Sequence, residues 1–246
     1  FTVEDKIRIA QKLDESGIPY IEGGWPGANP KDAEFFKKIQ DIQFEQARLA
    51  AFGSTRGVRN RTEDDPNLRQ LIEANTPVIT IFGKCWDMQV SEALNASLDD
   101  NLQMVGESIQ FLKKHCDEVM FDAEHFFDGC KHNPDYALKV LKTAEEAGAD
   151  WLVLCDTNGG SMPWEIDELT HKVLSTCRAR IAVHTHNDSE LGVANALAAV
   201  RAGVEQVQGT INGYGERCGN CNLISVMANL KLKVEKECLS DENLTG

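Results

Sequence analysis

Seven short apolar runs recur along the chain, and they constrain its fold more than any other feature. They cover residues 20–23, 47–52, 77–83, 118–122, 151–155, 180–184 and 206–211. Their starts lie 26 residues apart at the closest (Arg180 to Gln206) and 41 at the widest (Pro77 to Glu118), the repeat of a strand–loop–helix unit. Helical patterns fill the intervals. Residues 3–13 have Thr2 as N-cap and Gly17 as stop; 136–147 end at Gly148 and 191–202 at Gly203. Near-continuous apolar strands alternating with helices predict a parallel sheet covered by helices.

Two parallel architectures fit this alternation. The doubly wound sheet is weakened in its dinucleotide-binding form, because no G-x-G-x-x-G follows the first run. Polar residues instead collect at the C-terminal ends of the strands: Glu22, Lys84, Asp122, Glu124, Asp156, Thr157, His184, His186 and Asn212. In a barrel all these ends surround one mouth. The expectation is therefore an α/β chain folded as a (β/α)8 TIM barrel over residues 1–232, with its first strand upstream of Phe1. Residues 233–246 read as the start of a linker to a C-terminal region. The first residue is not Met and the last stretch, from Ser240, is polar, so both ends read as cuts in a longer protein.

A length of 246 residues suits a barrel domain of this kind. The net charge of -14 argues against a nucleic-acid surface, which needs a basic patch. No apolar run approaches the ~20 residues of a membrane span, and no signal-peptide pattern is present. Eight dispersed cysteines read as reduced thiols of a cytoplasmic protein. Cys218 and Cys221 form a C-x-x-C, but no second ligand pair at zinc spacing stands out.

The chemistry concentrates in a few segments. His184 and His186 close an apolar run, and strand alternation points both imidazoles to one face, where they can reach a single divalent metal. A lone H-x-H is more often an accident of a surface strand; the polar residues at neighbouring strand ends argue against that here. Asp122 and Glu124 share strand parity and can both face the mouth, whereas His125 and Asp128 fit loop residues that are solvated or cap the next helix, and His132 fits the surface. Asp156 and Thr157 are either loop-forming hydrogen bonders or substrate contacts. Residues 209–220 form a glycine-rich loop after the last strand, suited to close approach of backbone to a ligand. Asn220 precedes a helical pattern over 222–232 and either caps it or turns towards the metal.

Together these segments resemble the carboligase–lyase barrel family that contains 2-isopropylmalate, homocitrate and citramalate synthases and 3-hydroxy-3-methylglutaryl-CoA lyase. The resemblance runs from Val3 to about Leu232 and is most specific in HTHND at 184–188 and GTINGYGERCGNCNL at 209–223. The strings YIEGGWP at 20–26, AFGST at 51–55 and FDAEHFFDG at 121–129 look most like the citramalate synthase branch.

The resemblance implies a Claisen-type condensation of acetyl-CoA with a 2-keto acid, pyruvate in that branch, followed by thioester hydrolysis. It assigns a divalent metal (Mg²⁺ or Mn²⁺, with Zn²⁺ compatible) to His184, His186 and Asn220. Glu124 becomes the catalytic carboxylate, Thr157 contacts the keto-acid carboxylate, and Asp122 joins the substrate site. Asn212, Gly213, Gly215 and Glu216 become the acyl-CoA loop, and a homodimer is implied for the full-length parent. The family's Arg-Asp or Arg-Glu motif of the first strand is absent, which predicts an incomplete metal shell and an inactive isolated chain. The lyase of the family is the rival enzyme, but it places a catalytic Cys beside Pro where this chain has Gly215-Glu216-Arg217-Cys218. A non-catalytic barrel remnant is the rival of another class.

Overall fold

A computed structural model describes residues 1–245. All seven expected strands are present: β1 (Tyr20–Glu22), β2 (Arg48–Ser54), β3 (Val78–Lys84) and β4 (Glu118–Glu124). They are followed by β5 (Trp151–Asp156), β6 (Arg180–Thr185) and β7 (Gln206–Gln208). They form one parallel sheet in sequence order, each strand pairing with the next. The last is shorter than its apolar run, because after Gln208 the chain turns away and Thr210 bridges Asn222 instead.

The helices of the first half are α1 (Val3–Glu15), α2 (Pro30–Ile39), α3 (Pro66–Glu73), α4 (Asp87–Glu92) and α5 (Leu98–Leu112). Those of the second half are α6 (Phe126–His132), α7 (Pro134–Glu146), α8 (Pro163–Thr176), α9 (Gly192–Ala202), α10 (Leu223–Lys233) and α11 (Asp241–Thr245). Their ends follow the sequence signals. Thr2 caps α1 in a reciprocal capping box with Asp5, and Gly17, Gly148 and Gly203 take positive φ just past α1, α7 and α9.

Strand parity builds two apolar layers. Ile79, Ile81, Val119, Phe121, Leu152, Leu154, Ile181 and Val183 face the helices and join the main core. Their alternates Ala50, Val78, Met120, Trp151, Val153, Cys155 and Ala182 form a second, enclosed cluster. That second cluster exists because the sheet curls on itself. Tyr20 of β1 packs edge-on against Trp151 of β5 at 6.3 Å and donates to Glu118 of β4 at 2.9 Å. Arg180 lies over the Trp151 ring, 3.7 Å from its centroid, and closes the floor.

The architecture is a (β/α) barrel of seven strands whose edge strands β1 and β7 are not paired with each other. The closed floor and the polar ends above it leave one mouth for chemistry. Beyond α10, Lys231 reaches Glu237 at 2.7 Å and Asp241 at 3.0 Å, folding the segment after residue 233 back onto that helix. Gly246, the end of the expected linker, lies outside the described residues.

Candidate active site

β6 aims His184 and His186 into the lumen because Val183 and Thr185 on either side of His184 are held against the helices, both fully buried. The two imidazole Nε2 atoms lie 3.1 Å apart. Asn220 brings its amide Nδ2 to 2.9 Å from His184 Nε2. It reaches that point because an antiparallel bridge joins His186 to Asn220, with Cys221 N–H donating to Thr185 O and Asn187 N–H to Gly219 O. Capping of α10 falls to Asn222, whose Oδ1 accepts from the Ile224 N–H. The Asn220 side chain therefore lies against His184 and not at the start of α10.

Gln208, the last residue of β7, accepts from His184 Nδ1 at 2.9 Å and points its amide nitrogen at Asp122, 3.5 Å away. The amide oxygen fixes the His184 proton on Nδ1 and leaves the Nε2 lone pair free to ligate. His186 is held well below the usual histidine range, to about 4, by burial first and by His184 and Arg217 next. It is neutral at physiological pH.

Opposite stand the carboxylates of β4, both in the lumen as parity predicted. Glu124 pairs with Lys84, its register partner on β3, at 2.6 Å. Asp122 is 5% exposed, and burial pushes its carboxyl up to about 7. Glu22 enters from β1 and its carboxyl is also raised, by desolvation first and by the Asp122 charge second. Its side chain is open to solvent at the sheet edge. Water reaching that edge offsets part of its desolvation, whereas Asp122 is buried.

Thr157 follows β5, and its Oγ1 accepts from the His125 N–H at 2.8 Å, leaving the hydroxyl proton to be donated elsewhere. Asp156 points the other way, under α9, where Asn195 donates to it at 3.3 Å; it is fully buried and its carboxyl is raised by that burial. It is the loop-forming member of the pair. His125 corrects the expectation of a solvated loop residue. It is buried, in the left-handed region at φ 58°, and stacked at a tilt on Trp86, 5.9 Å between centroids. His132 is exposed as expected.

The glycine-rich loop lies over the histidines. Asn212 and Gly213 take φ of 61° and 71°, turning the chain back so that Gly213 O accepts from the Asn220 N–H. A Cβ at Gly215 would sit 1.8 Å from Asn220 Oδ1, so only glycine lets the loop pass that amide. Glu216 is 3.6 Å from His186 Nδ1. Cys218 is exposed and Cys221 fully buried, its thiol pushed up to about 11 by burial; all eight cysteines are free. The C-x-x-C is thus one packed residue and one surface residue.

Sequence reasoning missed Gln208, Arg217 and Asp188. Arg217 donates to both carboxylate oxygens of Asp188, at 2.8 and 3.0 Å, and to Thr157 O at 2.6 Å. Asp188 was visible inside the HTHND string and Arg217 inside GER, but nothing local says that they meet.

Two imidazoles and an amide converge at one point, a donor set suited to a divalent first-row metal. Imidazole nitrogens bound at about 2.1 Å and at right angles sit roughly 3 Å apart, so the spacing suits one ion. Among the described residues, no group of three or more His, Cys, Asp or Glu is arranged to hold a metal, so the cluster supplies part of a shell. No described helix is long and apolar enough to cross a membrane.

The HMGL-like family model matches residues 1–244. The chain belongs to the HMGL-like family. Among its relatives, the (R)-citramalate synthase of Geobacter sulfurreducens is 58% identical over 244 residues, covering 99% of this chain and 46% of that protein. The (R)-citramalate synthase of Aquifex aeolicus is 57% identical, over 99% of this chain and again 46% of the relative. A probable 2-isopropylmalate synthase of Methanopyrus kandleri is 36% identical over 100% of this chain and 49% of its own length. This HMGL-like chain therefore spans about half the length of the curated relatives it matches. Its fold is shared with the Bacillus subtilis HMG-CoA lyase, at a TM-score of 0.82 and 21% identity over 99% of this chain and 84% of that one.

Proposed function

We propose that this chain forms the catalytic barrel of an acyltransferase that condenses acetyl-CoA with a 2-keto acid, pyruvate before others, to give citramalate. One observation carries the reading. His184, His186 and Asn220 converge in the lumen of a chain 58% identical to an (R)-citramalate synthase. Citramalate so formed would feed isoleucine synthesis.

His184, His186 and Asn220 would hold the divalent metal, Mg²⁺ or Mn²⁺ with Zn²⁺ compatible. Bound there, it would act as a Lewis acid on the keto carbonyl. Thr157 donates its free hydroxyl proton to the keto-acid carboxylate. Glu124, steadied by Lys84, faces the reacting carbonyl as a fixed charge. Asp122 lines the substrate site, neutral below about pH 7 and so able to donate a hydrogen bond. Asn212, Gly213, Gly215 and Glu216 receive the acyl-CoA, whose methyl proton passes to a general base. Thioester hydrolysis makes the condensation irreversible. The full polypeptide would act as a homodimer in the reducing cytoplasm.

The deciding experiment is a thiol-release assay of the full polypeptide with a panel of 2-keto acids. The reading requires turnover with pyruvate and little with 2-ketoisovalerate. Preference for 2-ketoisovalerate would move the activity to 2-isopropylmalate formation, the family relationship also seen at 36% identity.

A further inference from the structure

Lys84 brings a positive charge to the mouth without committing its hydrogen bonds. Lys and Arg occur at three places in the seven strands: Arg48 and Arg180 open β2 and β6 at the floor, and Lys84 ends β3 at the mouth. Its ammonium lies 2.6 Å from Glu124 Oε2, yet that oxygen accepts no hydrogen bond, so the contact is one of charge and not of direction. On another side stands an aromatic face, the Phe82 ring stacked on Phe52, 5.9 Å from Nζ to its centroid. Among the described residues, no acceptor takes a Lys84 N–H. An ammonium has three donors and no acceptor, and here all three are open to a ligand.

The strand end that carries Lys84 is fixed from behind. Asn101 of α5, fully buried, donates to Lys84 O and to the Tyr136 hydroxyl, both at 2.9 Å. Its own Oδ1 is left without a partner, which is unfavourable, so this amide serves the β3 end and not its own helix. On the far side of β4, the Thr157 hydroxyl is held by the His125 N–H at 2.8 Å and has its proton to give. Lys84 and Thr157 thus flank the end of β4, one donor on each side. The Arg217 guanidinium is taken up by Asp188 and Glu216.

We propose that Lys84 is the cationic anchor of the keto acid: a Lys84 N–H and the Thr157 hydroxyl donate to the carboxylate oxygens of a 2-oxo monocarboxylate. Such an anion enters a lumen that already holds Glu22, Asp122 and Glu124, and an anion taken out of water needs a charged, hydrogen-bonded partner. Lys84 offsets Glu124 before binding and turns its free N–H groups to the carboxylate after it. Lys84 is then a substrate-binding residue. The inference rests on the reading of this chain as a keto-acid acyltransferase and deepens it.

The test uses the full polypeptide with Mn²⁺ present and measures, by calorimetry, the binding of pyruvate and of pyruvamide, its neutral amide. Pyruvate binding is expected to weaken about 10- to 100-fold in Lys84→Met and to be largely recovered in Lys84→Arg. Pyruvamide lacks the charge and should change little, so the preference for pyruvate over pyruvamide falls by the same factor. A general disturbance of the site would weaken both alike and leave the preference unchanged. If Lys84 only neutralises Glu124, the double variant Lys84→Met/Glu124→Gln regains wild-type pyruvate affinity. That recovery, or an unchanged preference in Lys84→Met, overturns the proposal. A wild type that neither binds nor turns over any 2-keto acid overturns the acyltransferase reading itself, and the anchor with it. Turnover of pyruvate by wild type beside unaltered pyruvate affinity in Lys84→Met removes the anchor alone.

Discussion

Gln208 and His184 are joined at 2.9 Å across the last strand pair of the sheet, where His184 and Gln208 are also register partners. This bond sets the His184 proton on Nδ1 and frees Nε2 for the lumen. A ligating imidazole owes much of its basicity and orientation to such a partner. Gln208→Leu keeps the side chain's bulk and removes the acceptor. Metal affinity is expected to fall about 10- to 100-fold, with the fold retained. Mn²⁺ titration with a parallel thermal melt checks both halves, and unchanged affinity would refute the role.

Gly215 offers a steric test of the loop. An added Cβ meets Asn220 Oδ1 at 1.8 Å, far inside contact distance. Gly215→Ala therefore displaces the Asn220 amide, the movable end of that side chain, from His184. Overpacking of this kind costs about 1–3 kcal/mol. The expected result is a modest loss of stability beside a much larger loss of metal binding, since Asn220 is the element moved. Equal Mn²⁺ affinity in Gly215→Ala and wild type would show that Asn220 does not matter to the metal.

Asp122 makes stability depend on pH in an unusual direction. Burial raises its carboxyl from the ordinary 3.8 to about 7. Between those values the folded chain binds more protons than the unfolded one, so stability falls as pH rises through the window. Below 3.8 both states are protonated and the effect vanishes. Asp122→Asn removes the charge that the fold resists, and lets Glu22 ionise more readily. The variant is expected to gain stability at pH 8, with about 4 kcal/mol as the limit, and nothing at pH 3.5. Denaturant melts at the two pH values decide it; a gain of equal size at both would point to packing instead.

How much of this was legible in the chain depends on how local each cause is. The parity that puts Asp122 with Glu124, and His184 with His186, is a property of three consecutive residues, and it held. The caps at Thr2, Gly17, Gly148 and Gly203 were equally local. Asp156 needed more: its direction follows from parity, but its meaning depends on Asn195, 39 residues on. His125 was misjudged because a histidine just past a strand end, next to Glu124, looks solvated, while its ring packs on Trp86 far upstream. Gln208 and Arg217 reach their partners over 24 and 31 residues, and no spacing rule brings them to the histidines. β7 stopped early because Thr210 found Asn222, a competitor invisible from the run itself.

Asp14, near the end of α1, accepts from three consecutive backbone N–H groups, those of Glu45, Gln46 and Ala47, at 2.7–2.9 Å. It ties that helix to the entry of β2. Burial pushes its carboxyl up, but the three donors outweigh burial and the net shift is downward from 3.8. A depressed carboxyl gives stability that is fully present above its unfolded value and is lost as pH falls through the folded one. Asp14→Ala leaves the three N–H groups without their acceptor, at a cost of roughly 3 kcal/mol. The difference between wild type and variant should be flat from pH 5 to 7 and shrink below pH 4. Urea unfolding across that range measures it directly, and a difference that grows on acidification would contradict the assignment.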